Sequence, residues 1–355
     1  MELRKLGISE IKVSCVGLGT MTFGEQCSKN LSFEILDFAF ENGINFFDTA
    51  EMYPVYPKEK TSGDSERIIG EWIQYKKNRD RVVIASKIAS NNPSGIGATK
   101  LSWIRKGGEN LTLDKHNITN AVDLSLKRLK TDYIDLYQIH WPERSVGTFG
   151  KLDFEYDPLD TWTPIEEVLH TLNDIVKEGK IKYIGISNET PWGILNYLDI
   201  AKKNKLPRIM SIQNCYSLLN RVFDIANSEV CIREKCSLLA YSPLAGGRLS
   251  GKYVDGERPE NARYTMWPGR FSRHLTPRGD IAVKKYTNLA NELNITPVAL
   301  ANAFVLSRPF VASSIVGATD VNQLKETLKA TEIKMKKDII SKINDIHLSD
   351  PNPCV

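Results

Sequence analysis

The sequence lacks the features that mark secreted, membrane-spanning and zinc-binding proteins. Residues 1–6 contain no apolar core of a signal peptide, and no uninterrupted apolar run approaches the length of a membrane span. The six cysteines form no Cys-x-x-Cys pair and have no Cys/His spacing that suits zinc. We therefore expect reduced thiols, a cytoplasmic location, no metal and no membrane partner.

A strong charge of one sign is also missing. The 355 residues carry 47 basic and 43 acidic side chains, which gives a formal charge of +4 at pH 7. This mild and scattered excess argues against a nucleic-acid-binding surface. No linker rich in Pro, Gly or Ser interrupts the chain, so we expect one domain over residues 1–355. The oligomeric state stays open.

Short apolar runs alternate with amphipathic segments along the chain. A predicted hairpin over residues 2–15 precedes about eight strand-then-helix units, and the predicted strands cover 15–19, 44–47, 82–86, 133–139, 181–186, 209–213, 237–241 and 313–316. This alternation predicts an α/β fold with a parallel sheet, and eight units favour a closed (β/α)₈ TIM barrel. The excess length falls in long βα loops at the C-terminal rim. A doubly wound open sheet is the alternative.

The predicted helices follow these strands. They cover 31–42, 65–75, 118–129, 164–178, 191–204, 221–234, 280–293, 297–306, 320–331 and 336–346. The long loops cover 54–64, 88–114, 141–163 and 251–278.

Four polar residues lie just past, or at the end of, three consecutive predicted strands. Asp48 and Tyr53 follow the second barrel strand, Lys87 ends the third and His140 ends the fourth. Barrel enzymes build their chemistry at this end of the strands. An ammonium next to a phenol favours the phenolate, so we expect Lys87 to lower the pKa of Tyr53 from about 10. These groups predict acid–base chemistry on a carbonyl or an alcohol, which needs a hydride source.

Other polar residues and glycines end the remaining strands. They are Ser187, Asn188, Gln213, Asn214, Ser242 and Gly317 to Thr319. Strand ends are often polar, so any one of these residues could have a purely structural role. Such a role explains poorly why they occur together at the ends of so many apolar strands. A P-loop-like pattern, Gly246-x-x-x-x-Gly251-Lys252, continues with Tyr253 and so lacks the hydroxyl that binds magnesium. Lys252 and the arginines after it either cover a pyrophosphate or are solvated.

Several motifs of the sequence resemble those of the aldo-keto reductases. They are Gly17-Leu18-Gly19-Thr20-Met21-Thr22-Phe23-Gly24, Phe47 to Tyr53, Ile84 to Lys87, Ser125 to Pro142, Gly185 to Asn188, Gln213 to Ser217 and Tyr241 to Leu244. The resemblance covers residues 3–330. It is strongest to a bacterial branch close to the potassium-channel β-subunits.

The resemblance implies a role for each residue of a catalytic tetrad. Tyr53 would be the general acid, Lys87 would lower its pKa, Asp48 would pair with Lys87, and His140 would orient the carbonyl. Ser187, Asn188 and Gln213 would bind the nicotinamide carboxamide, and Tyr216 would stack on the nicotinamide ring. The other implied cofactor contacts are Gly19, Thr20, Met21, Tyr241, Ser242, Leu244, Gly246, Lys252, Arg263, Gly317, Thr319, Gln323 and Glu326.

The resemblance favours NADP(H) and leaves NAD(H) open. The common Lys-Ser-x-x-x-x-Arg pattern for a 2′-phosphate is absent, and Thr319 and Gln323 stand in its place. The expected activity is reduction of a small carbonyl substrate. The alternative is a cofactor-binding regulatory or assembly module with slow turnover, like the channel β-subunits. The inserted loop 54–64 borders the expected pocket and leaves the substrate unnamed.

Overall fold

A computed structural model describes residues 1–91, 101–105, 110–269 and 272–355 of the chain. The predicted loop 88–114 therefore lies partly outside the described residues, at 92–100 and 106–109. All the predicted strands and helices fall within the described ranges.

The chain begins with the predicted hairpin. β1 (Leu3–Lys5) pairs antiparallel with β2 (Lys12–Ser14). Leu6 in the turn is fully buried, and the backbone N–H of Gly7 donates to the Ser237 hydroxyl at 2.9 Å. Because Ser237 begins a barrel strand, the hairpin covers the N-terminal end of the barrel, opposite the rim where the predicted site lies.

Eight parallel strands form a closed barrel. In chain order they are β3 (Val16–Gly19), β4 (Phe46–Asp48), β5 (Val83–Ile88), β6 (Ile134–Ile139), β7 (Ile181–Ser187), β8 (Ile209–Cys215), β9 (Ser237–Tyr241) and β10 (Val311–Val316). Each strand pairs with the next, and β10 pairs with β3 through Ser314 opposite Val16. This closure confirms the TIM barrel and excludes the open sheet.

Eleven α-helices surround the barrel in the described ranges. They are α1 (Lys29–Glu41), α2 (Asp64–Lys76), α3 (Lys115–Leu129), α4 (Ile165–Lys177), α5 (Pro191–Asn204), α6 (Asn227–Glu234), α7 (Arg263–Met266), α8 (Pro277–Glu292), α9 (Pro297–Leu306), α10 (Val321–Leu328) and α11 (Lys337–Ser349). Side-chain oxygens of Ser28, Asp114 and Thr190 accept the first free backbone N–H groups of α1, α3 and α5. Such capping fixes where these helices begin.

Most predicted helix bounds differ from the structure by one to three residues, and two predicted helices are partly 3₁₀ turns. The helix expected over 221–234 is a 3₁₀ turn, Val222–Asp224, followed by α6, because Ala226 has a positive φ of 63° that interrupts a right-handed helix. The helix expected over 320–331 ends at Leu328 and continues as a 3₁₀ turn, Lys329–Glu332.

The main core lies between the barrel and its helices. Trp72 of α2 is fully buried and makes edge contacts with Phe47 of β4 and Phe40 of α1, with ring centroids 5.5 and 5.8 Å apart. Burying each such side chain contributes about 1.5–3 kcal/mol, less the loss of side-chain entropy. These contacts fix β4, and with it the position of Asp48 at the strand's end.

No single helix in the described ranges is long and apolar enough to cross a membrane. One pair, α8 with α9, reaches that length and composition only when taken together, and its two members meet at a bend of 94°.

Candidate active site

A cavity of about 1740 Å³ opens at the C-terminal ends of the barrel strands. Seven of the eight strands contribute a residue to its wall at or near their C-terminal ends. These residues are Gly19, Asp48, His140, Ser187, Gln213, Tyr241 and Val316. The remaining strand, β5, carries Lys87, which is fully buried beneath the wall. Except for Lys87 and Asn214, the polar side chains of the predicted rim therefore line one cavity.

Lys87 and Asp48 form a buried ion pair. The Lys87 Nζ lies 2.6 Å from Asp48 Oδ2, and the two side chains are 0% and 3% exposed. Lys87 also donates to the Thr49 carbonyl at 2.7 Å, while Asp48 Oδ1 accepts from Gln213 Nε2 at 2.8 Å. Burial lowers the pKa of Lys87, and the Asp48 carboxylate opposes this shift. A buried pair is tolerated when its remaining polar atoms are hydrogen-bonded, as these are.

Tyr53 lies on the cavity wall between Lys87 and His140. Its ring centroid is 4.9 Å from Lys87 Nζ and 5.6 Å from the His140 ring centroid. The backbone holds it in place, since the Tyr53 N–H donates to the Ala50 carbonyl at 3.1 Å and its carbonyl accepts from Gly63 N at 2.8 Å. The side chains of Tyr53, Lys87 and His140 are therefore neighbours.

The expectation that Lys87 lowers the pKa of Tyr53 is wrong for this arrangement. Burial raises the pKa of Tyr53 well above its usual value, and the Asp48 carboxylate raises it further. The phenolate would lose its hydration, and the charge of Lys87 is already matched by Asp48. Tyr53 is therefore a protonated phenol at neutral pH.

His140 is a neutral imidazole on the opposite side of Tyr53. Burial and then the charge of Lys87 hold the pKa of His140 well below its usual value. Its backbone N–H donates to the Ile88 carbonyl at 3.0 Å, and its ring centroid is 4.5 Å from that of Trp141. Its Nδ1 is buried and has no hydrogen-bond partner within the described ranges. A neutral imidazole can donate or accept a hydrogen bond at an oxygen in the cavity.

Three amide and hydroxyl side chains line the wall beside His140. Asn188 donates from Nδ2 to the His140 carbonyl at 2.9 Å and accepts at Oδ1 from the Tyr241 hydroxyl at 2.6 Å. Ser187 donates to the Gln213 carbonyl at 2.6 Å. All three lie on the cavity surface, as the sequence predicts. Hydrogen bonds to the barrel hold their orientations.

The predicted stacking role of Tyr216 is wrong, because this ring does not reach the cavity. Tyr216 is 0% exposed, its ring is stacked on Phe304 with centroids 5.9 Å apart, and its hydroxyl donates to Asp224 Oδ1 at 2.8 Å. It belongs to the core between the barrel and α9. The aromatic ring that β9 delivers to the cavity is Tyr241.

Thr20, a predicted cofactor contact, also lies outside the cavity lining. It is fully buried, and its Oγ1 is 3.0 Å from the Asp48 carbonyl and 2.7 Å from Ser65 Oγ. Its hydroxyl ties the loop after β3 to the end of β4 and to the start of α2. Its neighbours Gly19 and Met21 do line the cavity.

A glycine-containing turn after β9 lines the next part of the cavity. Left-handed conformations occur at Ser242, Ala245, Gly246 and Gly247, with φ of 56°, 47°, 68° and 100°. Turns of this kind can direct successive backbone N–H groups toward an anion. Lys252 lies on the same wall, and after burial the charge of Arg263 is the main cause that lowers its pKa. The turn and its two cations suit a pyrophosphate.

The segment after β10 and the first turns of α10 line the far end of the cavity. Gly317, Thr319, Gln323 and Glu326 are all on the wall, as predicted. The Thr319 N–H donates to Gln323 Oε1 at 3.1 Å, and Gln323 Nε2 donates to Asp320 Oδ2 at 2.7 Å. Asp320 thus adds a carboxylate to this wall, which the sequence reasoning overlooked.

A second buried ion pair was also missed. Arg105 and Glu51 pair with both side chains 0% exposed, Glu51 Oε1 accepts from the Ala89 N–H at 2.7 Å, and Arg105 donates to the Ala89 carbonyl at 3.1 Å. The pair joins the loop of Tyr53 to the loop after β5. Glu51 stands inside a recognised motif, but Arg105 lies in a long polar stretch that gives no local signal.

The inserted loop and the loop after β6 form the apolar side of the cavity. Val55 and Tyr56 come from the inserted loop, and Trp141 and Phe149 come from the other loop. In the described ranges no group of three or more His, Cys, Asp or Glu side chains could hold a metal ion.

Comparison with known proteins places the chain in a family. Residues 15–347 match the model of the aldo/keto reductase family. The chain is 41% identical over 350 residues to Protein tas of Escherichia coli, covering 98% of both chains. It is 32% identical to the uncharacterized oxidoreductase YrpG of Bacillus subtilis, covering 98% of this chain and 96% of YrpG. It is 28% identical to norsolorinic acid reductase B of Aspergillus parasiticus, covering 97% of this chain and 83% of that protein. The chain therefore belongs to the aldo/keto reductase family of oxidoreductases, which act on small carbonyl compounds with a nicotinamide cofactor, and it is a member of the Tas type.

Proposed function

We propose that the protein reduces an aldehyde or a ketone to the alcohol with NADP(H), and that Tyr53 is the general acid. One observation carries the proposal: Tyr53 and His140 share a cavity wall with the amides of Asn188 and Gln213. The Tyr53 hydroxyl and the His140 imidazole can hydrogen-bond a carbonyl oxygen. The amides of Asn188 and Gln213 can hydrogen-bond the carboxamide of a nicotinamide.

The protein's own groups serve the proton transfer. Tyr53 is a phenol at neutral pH, so it can donate a proton to a carbonyl oxygen that becomes an alkoxide. The neutral His140 can donate a hydrogen bond to the same oxygen and fix its position. The phenolate that forms on Tyr53 would lie beside the Lys87 ammonium, which offsets only part of the cost of burying that charge.

A reduced nicotinamide cofactor, when bound, supplies the hydride. Asn188 and Gln213 would hold the carboxamide. Tyr241 takes the stacking role first given to Tyr216, since Tyr241 is the ring on the wall. The turn after β9, together with Lys252, would hold the pyrophosphate. The far wall supports NADP(H) through Thr319 and Gln323, whereas the Asp320 carboxylate favours NAD(H).

The activity is tested with Tyr53→Phe, which keeps the ring and removes the proton donor. We expect NADPH oxidation with a panel of aldehydes to fall by about 100-fold or more, as is usual when a general acid is lost. Tyr197→Phe is the matched control, because Tyr197 of α5 is buried outside the cavity. Full activity in Tyr53→Phe would overturn the acid role. Tight cofactor binding without turnover of any carbonyl would instead favour the regulatory module.

A fluorescence titration with NADPH and NADH tests the cofactor. We expect tighter binding of NADPH, and a further gain for NADPH in Asp320→Asn, because that change removes a negative charge from the far wall. Tighter binding of NADH by the unmodified protein would replace NADP(H) by NAD(H). The cytoplasmic location and the single domain also stay predictions. All six cysteines are free thiols.

A further inference from the structure

Arg273 lies on the wall of the cavity that also contains the proposed proton donor, Tyr53. It belongs to a short 3₁₀ turn, Ser272–His274, that precedes α8. Its guanidinium carbon is 5.7 Å from the ring centroid of Phe149 and 5.8 Å from that of Tyr241. Arg273 and Tyr53 both influence the pKa of Tyr241, so all three belong to one part of the cavity wall.

Unlike most buried or half-buried arginines, the half-buried Arg273 has no carboxylate partner in the described ranges. Most buried or half-buried arginines pair with an acid, namely Arg79 with Asp135, Arg105 with Glu51, Arg128 with Glu66, Arg144 with Glu189, Arg221 with Asp224 and Arg248 with Asp280. In the described part of the chain, no Asp or Glu forms an ion pair with Arg273.

The titratable groups around Arg273 include no carboxylate. They are Tyr241, Cys215, Tyr264, the neutral His274 and the cation Arg263. Burial raises the pKa of Tyr241 to about 12 and also raises the pKa of the Cys215 thiol, so neither carries a negative charge at neutral pH. A cation that packs against aromatic rings without a counter-charge is stabilised when an anion binds to it.

We propose that Arg273 binds a carboxylate of the substrate, and that the substrate class is therefore an aldehyde or ketone with a carboxylate on the far side of an apolar body. This inference rests on the proposed reductase function. Trp141 and Phe149, whose ring centroids are 6.3 Å apart, would cover the apolar body between the two ends. The planar guanidinium suits a carboxylate because it can donate two parallel hydrogen bonds.

The test compares acids with their esters in otherwise identical aldehydes. The substrates are 3- and 4-carboxybenzaldehyde and the methyl esters of both, and the proteins are the unmodified enzyme, Arg273→Leu and Arg273→Lys. We expect the unmodified enzyme to have a kcat/KM about 10- to 100-fold higher for the acids, which corresponds to charge-assisted hydrogen bonds. Arg273→Leu should remove this preference by raising the KM of the acids, with the esters nearly unchanged. Arg273→Lys should keep part of it.

A matched control and a binding measurement separate the possible outcomes. Arg233→Leu removes an exposed arginine of α6 outside the cavity and should change neither substrate class. If Arg273→Leu slows acids and esters equally and weakens NADPH binding, Arg273 serves the cofactor and the inference is overturned. If the unmodified enzyme reduces acids and esters equally well, the inference fails and the proposed function stands. If it reduces none of the four aldehydes but reduces another aldehyde of the panel, the inference fails and the proposed function stands; if it reduces no aldehyde at all, both fail.

Discussion

The raised pKa of Tyr53 predicts how the reaction depends on pH. Reduction needs the protonated phenol, and burial together with Asp48 keeps the phenol protonated beyond its usual range. A tyrosine with an unshifted pKa of about 10 is roughly 90% protonated at pH 9, and one with a raised pKa is protonated almost completely. If Lys87 instead lowered the pKa to about 8, only roughly 10% of the phenol would remain at pH 9.

The assay is kcat for reduction of a neutral aldehyde at saturating NADPH, from about pH 7 to about pH 9. We expect the rate to stay within about 10% over this range. The reverse reaction needs the phenolate, so oxidation of the alcohol should rise with pH over the same range. His140 should not cause a further change in the rate near neutral pH, because its pKa is held well below the usual value.

A roughly tenfold fall in the reduction rate between these two pH values would refute this reasoning. The difference in near-ultraviolet absorbance between the protein and Tyr53→Phe gives an independent measurement without substrate. Ionisation of Tyr53 below about pH 9 in that difference would show that the charge of Lys87 outweighs the loss of hydration. Tyr197→Phe, run in parallel, controls for the removal of a buried phenol.

Two further predictions follow from contacts that the sequence reasoning missed. Replacing Glu51 by Leu, or Arg105 by Met, should lower the free energy of unfolding by about 3–5 kcal/mol, because each change leaves a buried charge without its partner. The double variant should lose less than the sum of the two single losses. Additive losses in urea unfolding would show that the two residues are not coupled. Tyr216→Leu should lower the free energy of unfolding by about 3 kcal/mol and leave the dissociation constant of NADPH unchanged. Tyr241→Leu should raise that dissociation constant. The opposite pattern in fluorescence titrations would return the stacking role on the nicotinamide ring to Tyr216.

The sequence was sufficient for the barrel and for the strand that carries each polar group. Asp48 is the last residue of β4, Lys87 lies one residue before the end of β5, and His140 directly follows β6. Apolar runs separated by helical patterns carry this information locally, since a strand buried on both faces is a continuous apolar segment. Helix ends were less certain where one residue with a positive φ interrupts the pattern, as at Ala226.

The exchange of Tyr216 and Tyr241 was within reach of the sequence. Side chains of a strand alternate between the inside and the outside of a barrel. Gln213 of β8 faces the cavity, so Tyr216, three residues later, falls on the outer side and packs against Phe304. Leu239 of β9 packs inside the barrel, so Tyr241 points the same way. The motif match alone could not show this, because both tyrosines follow recognisable strand ends.

The charge balance of the cavity could not be predicted, because it depends on burial and on partners far apart in the chain. Lys87 and Asp48 cancel each other below the wall, which leaves little charge to lower the pKa of Tyr53. Arg273 brings a positive charge to the wall from a turn 133 residues beyond His140. An excess positive charge there would stabilise both an anionic substrate and the negative charge that develops on a carbonyl oxygen. The same field would therefore serve binding and chemistry, so the loss of Arg273 should raise KM for acids far more than it lowers kcat.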